Sequence, residues 1–410
     1  MAVASRIQGT PSPVKGVRFA AVQAGIRYPN RTDLVLFQLA PGSQVAAVFT
    51  RNAFCAAPVQ VARLHLQEAV PRYLLINTGN ANAGTGARGL GDARACCDAL
   101  AAAASKLEET VLNGSDILPF STGVIGEPLP VARITSAIPR ALASLQDNDW
   151  MAVARGIMTT DTRPKAVSCE VSITADSKVT VTGIAKGAGM IKPNMATMLA
   201  FVFTDAQVER TLLQEILGRV VNKSFNRITV DGDTSTNDSC LLVATGASGV
   251  VVSQEQDCSL LEQGLERVFL QLATELIRDA EGATKFVSIR VVNGVDSSEC
   301  LAVAYAIAES PLVKTALFAS DPNWGRILAA VGRAGLKDLD IERITIDLGQ
   351  TRLVEAGGLA HTYTEELGQV EMDKEDITVT IDLGRGDREE TVWTSDLSED
   401  YVRINADYRS

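Results

Sequence analysis

Lys186-Gly-Ala-Gly-Met-Ile-Lys-Pro-Asn-Met-Ala-Thr-Met-Leu-Ala-Phe201 is the stretch on which the reading of this chain turns. Two glycines in its first four residues give a loop with permissive backbone torsions. The apolar run over 196–203 then reads as a buried strand with Thr197 at its start. A threonine that opens a strand is ordinarily structural, because β-branched side chains suit strands. Its hydroxyl is a poor nucleophile without a base, and the chain holds only two histidines. Breaking the Ala196–Thr197 bond would change that. Thr197 would gain an α-amino group with a reference pKa of ~7.7–8.0, able to serve as base for its own hydroxyl.

Outward from that strand, apolar runs bounded by glycine and asparagine alternate with helical patterns. This is the texture of an α/β (α+β) protein, with layered sheets flanked by helices. Strands are expected at 34–39, 45–49, 73–77, 166–173, 179–184 and 239–245. Helices are expected at 92–109, 131–144, 148–158, 207–222 and 260–278. From about residue 287 the texture shifts to strands at 288–292, 344–348 and 377–383. There Ile344-Thr-Ile-Asp-Leu-Gly349 echoes Val379-Thr-Ile-Asp-Leu-Gly384. Two copies fall short of a solenoid and fit paired strands in a smaller C-terminal α+β domain. The division expected is a catalytic α/β domain over 1–286 and a smaller domain over 287–410.

The composition, 46% hydrophobic and 21% charged in 410 residues, is that of a folded chain rather than a disordered one. No apolar run approaches the ~18–20 residues of a membrane span, and a cytoplasmic protein is expected. The net charge of −11 supplies no clustered positive field for nucleic acid. An anionic small molecule needs only a few local cations, since distant charge is screened within ~8–10 Å. Arg6, Lys15, Arg18, Arg27 and Arg31 all precede the first acidic residue, Asp33. That bias faintly resembles a transit peptide, but no serine-rich amphipathic pattern accompanies it, and it is read as an ordinary basic N-terminus. Seven scattered cysteines without a CxxC read as free thiols in a reducing compartment.

Other chemistries are weakly signalled. His65 lies in a patterned apolar stretch and His361 in a polar turn, neither beside a nucleophile or a metal-ligand spacing, so a Ser-His-Asp triad and zinc are both disfavoured. The loop Asp231-Gly-Asp-Thr-Ser-Thr-Asn-Asp-Ser239 departs from a calcium loop at position six, Thr236, and position twelve, Leu242. It reads as a polar turn rich in side-chain-to-backbone bonds. Gly84-Thr-Gly86-Ala-Arg-Gly89 matches GxGxxG, but six residues separate it from the strand ending at Asn77, and a glycine-rich turn is the better reading than a dinucleotide site.

Lys186-Gly-Ala-Gly-Met190 with Pro193-Asn-Met-Ala-Thr-Met-Leu199 resembles the self-cleavage signature of the ornithine acetyltransferase (glutamate N-acetyltransferase) family. Agreement extends in order from about Lys15 to Ser410. It includes Asn77-Thr-Gly-Asn-Ala-Asn-Ala83, Ser121-Thr-Gly-Val-Ile-Gly126, Met158-Thr-Thr-Asp-Thr162, Glu281-Gly-Ala-Thr-Lys285, Ser310-Pro-Leu-Val-Lys-Thr315, Asp321-Pro-Asn-Trp-Gly-Arg326 and Tyr401-Val-Arg-Ile-Asn-Ala406.

The resemblance implies cleavage between Ala196 and Thr197, giving an α-chain over 1–196 and a β-chain over 197–410, two of each in a heterotetramer. It implies Thr197 as nucleophile, Thr122 and Gly123 as oxyanion-hole pair, and Thr159, Lys186, Thr197, Glu281, Asn405 and Ser410 as substrate contacts. The doubled threonine leaves Thr159 and Thr160 as alternatives. The implied reaction moves acetyl from N2-acetylornithine to glutamate in arginine biosynthesis, without metal or cofactor. Acetyl-coenzyme A remains open as a second donor. A self-cleaving aminopeptidase of related fold, which would hydrolyse its acyl-enzyme, and a noncatalytic binding protein are the alternatives.

Overall fold

The strand Leu199–Thr204 is apolar at nearly every position and buried throughout, so it needs cover on both faces. A computed structural model, which describes residues 2–192 and 198–407, supplies that cover. The strand is central in a five-stranded sheet ordered Gln44–Phe49, Ser239–Ala244, Leu199–Thr204, Lys178–Lys186 and Lys165–Ser172. It runs parallel to Ser239–Ala244 and antiparallel to Lys178–Lys186, with Leu199 opposite both Ser239 and Lys186.

Alternate side chains then sort to opposite faces. Leu199, Phe201 and Phe203 meet Phe19, Phe37, Ile76 and Phe120 of a second sheet. That sheet has four strands, ordered Val17–Val22, Leu34–Leu39, Tyr73–Asn80 and Ile117–Val124. Ala200 and Val202 face the other way, onto the helices Arg210–Lys223 and Glu255–Arg278. The four-stranded sheet turns its own outer face to the helices Gly86–Glu108 and Val131–Ala143. Four layers result: helices, sheet, sheet, helices, in agreement with the layered α/β expectation.

A third core, from Val287 to Val392, surrounds a six-stranded sheet. The two echoing segments lie side by side in it, with Thr345 paired to Asp382 and Leu348 to Val379 in antiparallel register. Similar sequence here means similar exposure of neighbouring strands. The basic N-terminal segment packs into the body of the protein: Val3 is buried in the helix-side core, and Arg6 pairs with Asp376 at 2.7 Å. All seven cysteines are free. Among the described residues no single helix is long and apolar enough to cross a membrane.

An aromatic layer joins the two facing sheets. The Phe201 ring lies 5.1 Å from Phe120 and 6.0 Å from Phe37, and Trp150 closes the layer 5.4 Å from Phe203. Truncating Phe201 to Ala should therefore lower unfolding stability by about 3–5 kcal/mol, measured as a shifted urea midpoint with an unchanged slope.

Candidate active site

The strands Tyr73–Asn80 and Ile117–Val124 are parallel neighbours whose register shifts at their C-terminal ends. There Gly79 and Gly123 adopt φ of 113° and 133°, torsions that only glycine takes up readily. A Cβ on Gly123 would lie 2.3 Å from the Gly79 carbonyl carbon, so no side chain fits. Thr122 and Gly123 emerge at this crossing on the wall of a cavity of about 270 Å³.

Lys186 ends its strand at the same cavity. Its Nζ donates to Thr122 Oγ1 at 2.9 Å and to Thr159 Oγ1 at 3.0 Å. Burial pushes this ammonium below the usual lysine range, while Asp161, Asp238 and Glu281 act in the opposite sense. Asp161 organises the corner. One carboxylate oxygen accepts from Lys165 Nζ at 2.7 Å and Gly187 N at 2.8 Å, and the other from Thr159 N at 3.0 Å. Lys165 also reaches Asp279 at 2.6 Å, and all three of these side chains are fully buried. Burial opposes ionisation of Asp161, but the Lys165 and Lys186 charges and the Gly187 amide hold its carboxyl far below the ordinary carboxylate range.

Glu281 follows Asp279 by two residues and donates its amide to Ala188 O at 2.9 Å. Its carboxylate lies flat against Gly189, where a Cβ would come within 2.3 Å. That carboxylate accepts from Asn405 Nδ2 at 2.8 Å. Asn405 sits on the last described helix, Glu399–Ala406, capped by Ser398. The same helix sends Tyr401 Oη to Asp231 at 3.1 Å. Asp231 in turn accepts the amides of Met190 at 2.6 Å and Ile191 at 2.9 Å, with Met190 held at φ 54°. The 231–239 loop is thus a polar turn tied by side-chain-to-backbone bonds. It braces the chain just upstream of the undescribed segment. Asn237 bridges to the four-stranded sheet, donating to Ala81 O at 2.6 Å and Ser121 O at 2.9 Å. Its neighbour Asp238 is buried, and desolvation raises its carboxyl well above the usual range.

Thr122, Gly123, Thr159, Lys186, Glu281 and Asn405 accordingly meet around one cavity. Both Thr159 and Thr160 line it, and Thr159 is the one bonded to Lys186. Ala196, Thr197 and Ser410 lie outside the described residues; Met198, next to Thr197 in the chain, lines the cavity. Asp161, Lys165, Asp279, Asn237 and Asp238 were not singled out individually from sequence, although Asp161 falls inside the Met158 to Thr162 motif and Asn237 and Asp238 inside the 231–239 polar turn. Neither histidine lines the cavity: His65 is buried with Nδ1 2.7 Å from Ile117 O, and His361 is exposed beside Glu355. The Gly84 to Gly89 stretch runs directly into the helix Gly86–Glu108, which begins six residues before the expected start. Gly89 is required there because a Cβ would overlap Thr85 Oγ1 at 1.9 Å.

A cavity lined by residues of the two facing sheets, with a buried cation, clustered hydroxyls and a carboxamide–carboxylate pair, is the equipment of an enzyme of small-molecule acyl transfer. The chain belongs to the ArgJ family, whose model matches residues 18–410. It is 53% identical over 401 residues to the arginine biosynthesis bifunctional protein ArgJ of Psychrobacter arcticus, covering 97% of each chain. It is 54% identical to the protein of that name in Pseudomonas fluorescens, covering 98% of each. Among solved structures, the bifunctional ArgJ of Bacillus halodurans is 35% identical with a TM-score of 0.48, the match covering 50% of this chain and 96% of that one. Ornithine acetyltransferase of Mycobacterium tuberculosis, solved with ornithine, is 37% identical with a TM-score of 0.42, covering 47% and 97%.

Replacing Lys165 by Met leaves the buried Asp161 and Asp279 carboxylates without their shared cation and should cost about 3–5 kcal/mol, read by denaturant unfolding. The carboxyl of Asp161 is depressed in the folded state, so its contribution is present above the unfolded value of ~3.9 and is lost as pH falls toward the folded one. Stability measured against pH should decline below about pH 4 in the unmodified chain, and more shallowly in Asp161→Asn.

Proposed function

We propose that this chain transfers the acetyl group of N2-acetyl-L-ornithine to L-glutamate through an acetyl-Thr197 intermediate, after cutting its own backbone between Ala196 and Thr197. The observation that carries this reading is the convergence of Thr122, Gly123, Thr159, Lys186, Glu281 and Asn405 on one cavity that Met198 also lines. Polar residues scattered over almost three hundred positions, each matching a motif of the family signature, have no packing reason to share one cavity.

In the first half-reaction Thr197 Oγ, deprotonated by its own α-amine, attacks the acetyl carbonyl. Negative charge developing on that oxygen is met by Thr122 and the Gly123 backbone; removing one such donor typically costs ~2.7–4 kcal/mol of barrier. The tetrahedral intermediate collapses, the C–N bond breaks, and the ornithine amine leaves with the proton held by the Thr197 amine. Glutamate enters the same cavity, its neutral amine attacks the acetyl ester and yields a proton to the Thr197 α-amine, and Thr197 Oγ leaves, taking that proton, to give N-acetylglutamate. Lys186 offers a cationic contact to the α-carboxylate that both substrates carry. Glu281, steadied by Asn405, offers an anionic one to an ammonium group, and the family resemblance adds Ser410 as a further substrate contact. Self-cleavage uses the same nucleophile: Thr197 Oγ attacks the Ala196 carbonyl, an ester replaces the peptide bond, and water releases the new terminus.

The transfer needs no metal or cofactor on this reading; acetyl-coenzyme A, where used, is a second acetyl-donor substrate. The mature enzyme is a cytoplasmic heterotetramer of two α and two β chains. Thr197→Ala should remain one chain on a denaturing gel and lose acetyl transfer entirely. A cut and active Thr197→Ala protein would falsify the proposal. Formation of N-acetylglutamate from acetyl-coenzyme A and glutamate checks the second donor, and acetate release without glutamate would favour the hydrolytic alternative.

A further inference from the structure

An ammonium group has donors only. Each Lys186 bond to a threonine hydroxyl, 2.9 Å to Thr122 and 3.0 Å to Thr159, therefore occupies a lone pair on oxygen. Each hydroxyl proton must point elsewhere. Among the described residues neither hydroxyl donates to a protein acceptor, and both threonines line the cavity. A neutral amine would behave differently, because its lone pair can accept a hydroxyl proton and turn one of these bonds around. The charge on Lys186 thus sets the direction in which Thr122 donates. It also strengthens that donor, since a hydroxyl that accepts from a cation is more polarised.

We propose that Lys186 is the positioning residue of the oxyanion site, its ammonium holding the Thr122 hydroxyl as a donor into the cavity. The inference rests on the acyl-transfer reading above and adds a role there that is independent of the substrate's carboxylate. No proton passes to or from Lys186 during transfer; the ammonium persists through both half-reactions. The surroundings bear on this charge from every side. Burial and Lys165 disfavour it, while Asp161, Asp238 and Glu281 favour it. Asp161 is the best anchored of these, through Lys165, Gly187 and Thr159. Removing its charge lowers the pH at which Lys186 loses its proton.

An acetyl donor with no carboxylate separates the two roles of Lys186. With cleaved, purified protein and p-nitrophenyl acetate, the burst of nitrophenolate reports formation of the acetyl-enzyme. Lys186→Met and Thr122→Val should each slow the burst roughly 10²–10³-fold. The double variant should be no slower than Thr122→Val alone, and Thr122→Ser should recover most of the rate. A Lys186→Met protein with an unchanged burst, altered only in KM for the acetylated amino acid, overturns the proposal. Losses that add fully in the double variant overturn it as well. Should the variants stay uncut, the unmodified enzyme decides: its burst rate should fall at alkaline pH as Lys186 is neutralised, and a rate that only rises with pH overturns the inference. An unmodified enzyme with neither a burst nor an acetylated Thr197 peptide removes the acyl-threonine reading itself.

Discussion

Lys165 is the hinge on which the cavity depends. A fully buried ammonium is costly unless its partners satisfy it, and here they do so by gathering separate parts of the chain. Asp161 contributes from the loop after the helix Trp150–Gly156, and Asp279 from the end of the helix Glu255–Arg278. Asp161 spends its remaining acceptor capacity on the Thr159 and Gly187 amides. Asp279 takes the Thr162 amide at 3.1 Å and the Thr162 hydroxyl. One cation therefore sets where Thr159 stands, where the strand ending at Lys186 turns, and where Glu281 begins.

The layers were largely legible in the sequence because their strands are uninterrupted apolar runs closed by turn residues. The strand Leu34–Leu39 is found at its expected bounds. The reading failed where composition hid periodicity. The helix Ser297–Ala308 is apolar around much of its circumference, so it carries little of the alternation that marks a surface helix, while Pro311–Phe318 and Trp324–Gly332 span only eight and nine residues, too few for a periodic pattern to stand out. The helix Gly86–Glu108 opens with three glycines within six residues, which argue against a helix on propensity. Packing overrides that cost: Gly89 is pressed against Thr85 and Asn82.

The cavity was legible only in part. Motif resemblance picked out residues that line the cavity, because those are embedded in distinctive short stretches. It did not pick out the buried cation and its second carboxylate, which steady them. Lys165 and Asp279 are 114 residues apart, and nothing in either neighbourhood signals that they meet. The elevated carboxyl of Asp238 arises from loss of water around it, a quantity that belongs to the packed fold rather than to its Asn-Asp-Ser neighbourhood.

The pairing of Leu199–Thr204 with Lys178–Lys186 on one side and Ser239–Ala244 on the other has a consequence for a chain divided just ahead of residue 197. The sheet's middle strand would then belong to the downstream piece, while Lys165–Ser172, Lys178–Lys186 and Gln44–Phe49 stay with the upstream one. Neither fragment owns a complete core, and each alone would present bare sheet edges that invite misassociation. Folding before division is a first-order event; reassembly afterwards is second-order. Such a protein is robust while intact as a complex, yet once taken apart it must find its other half by diffusion.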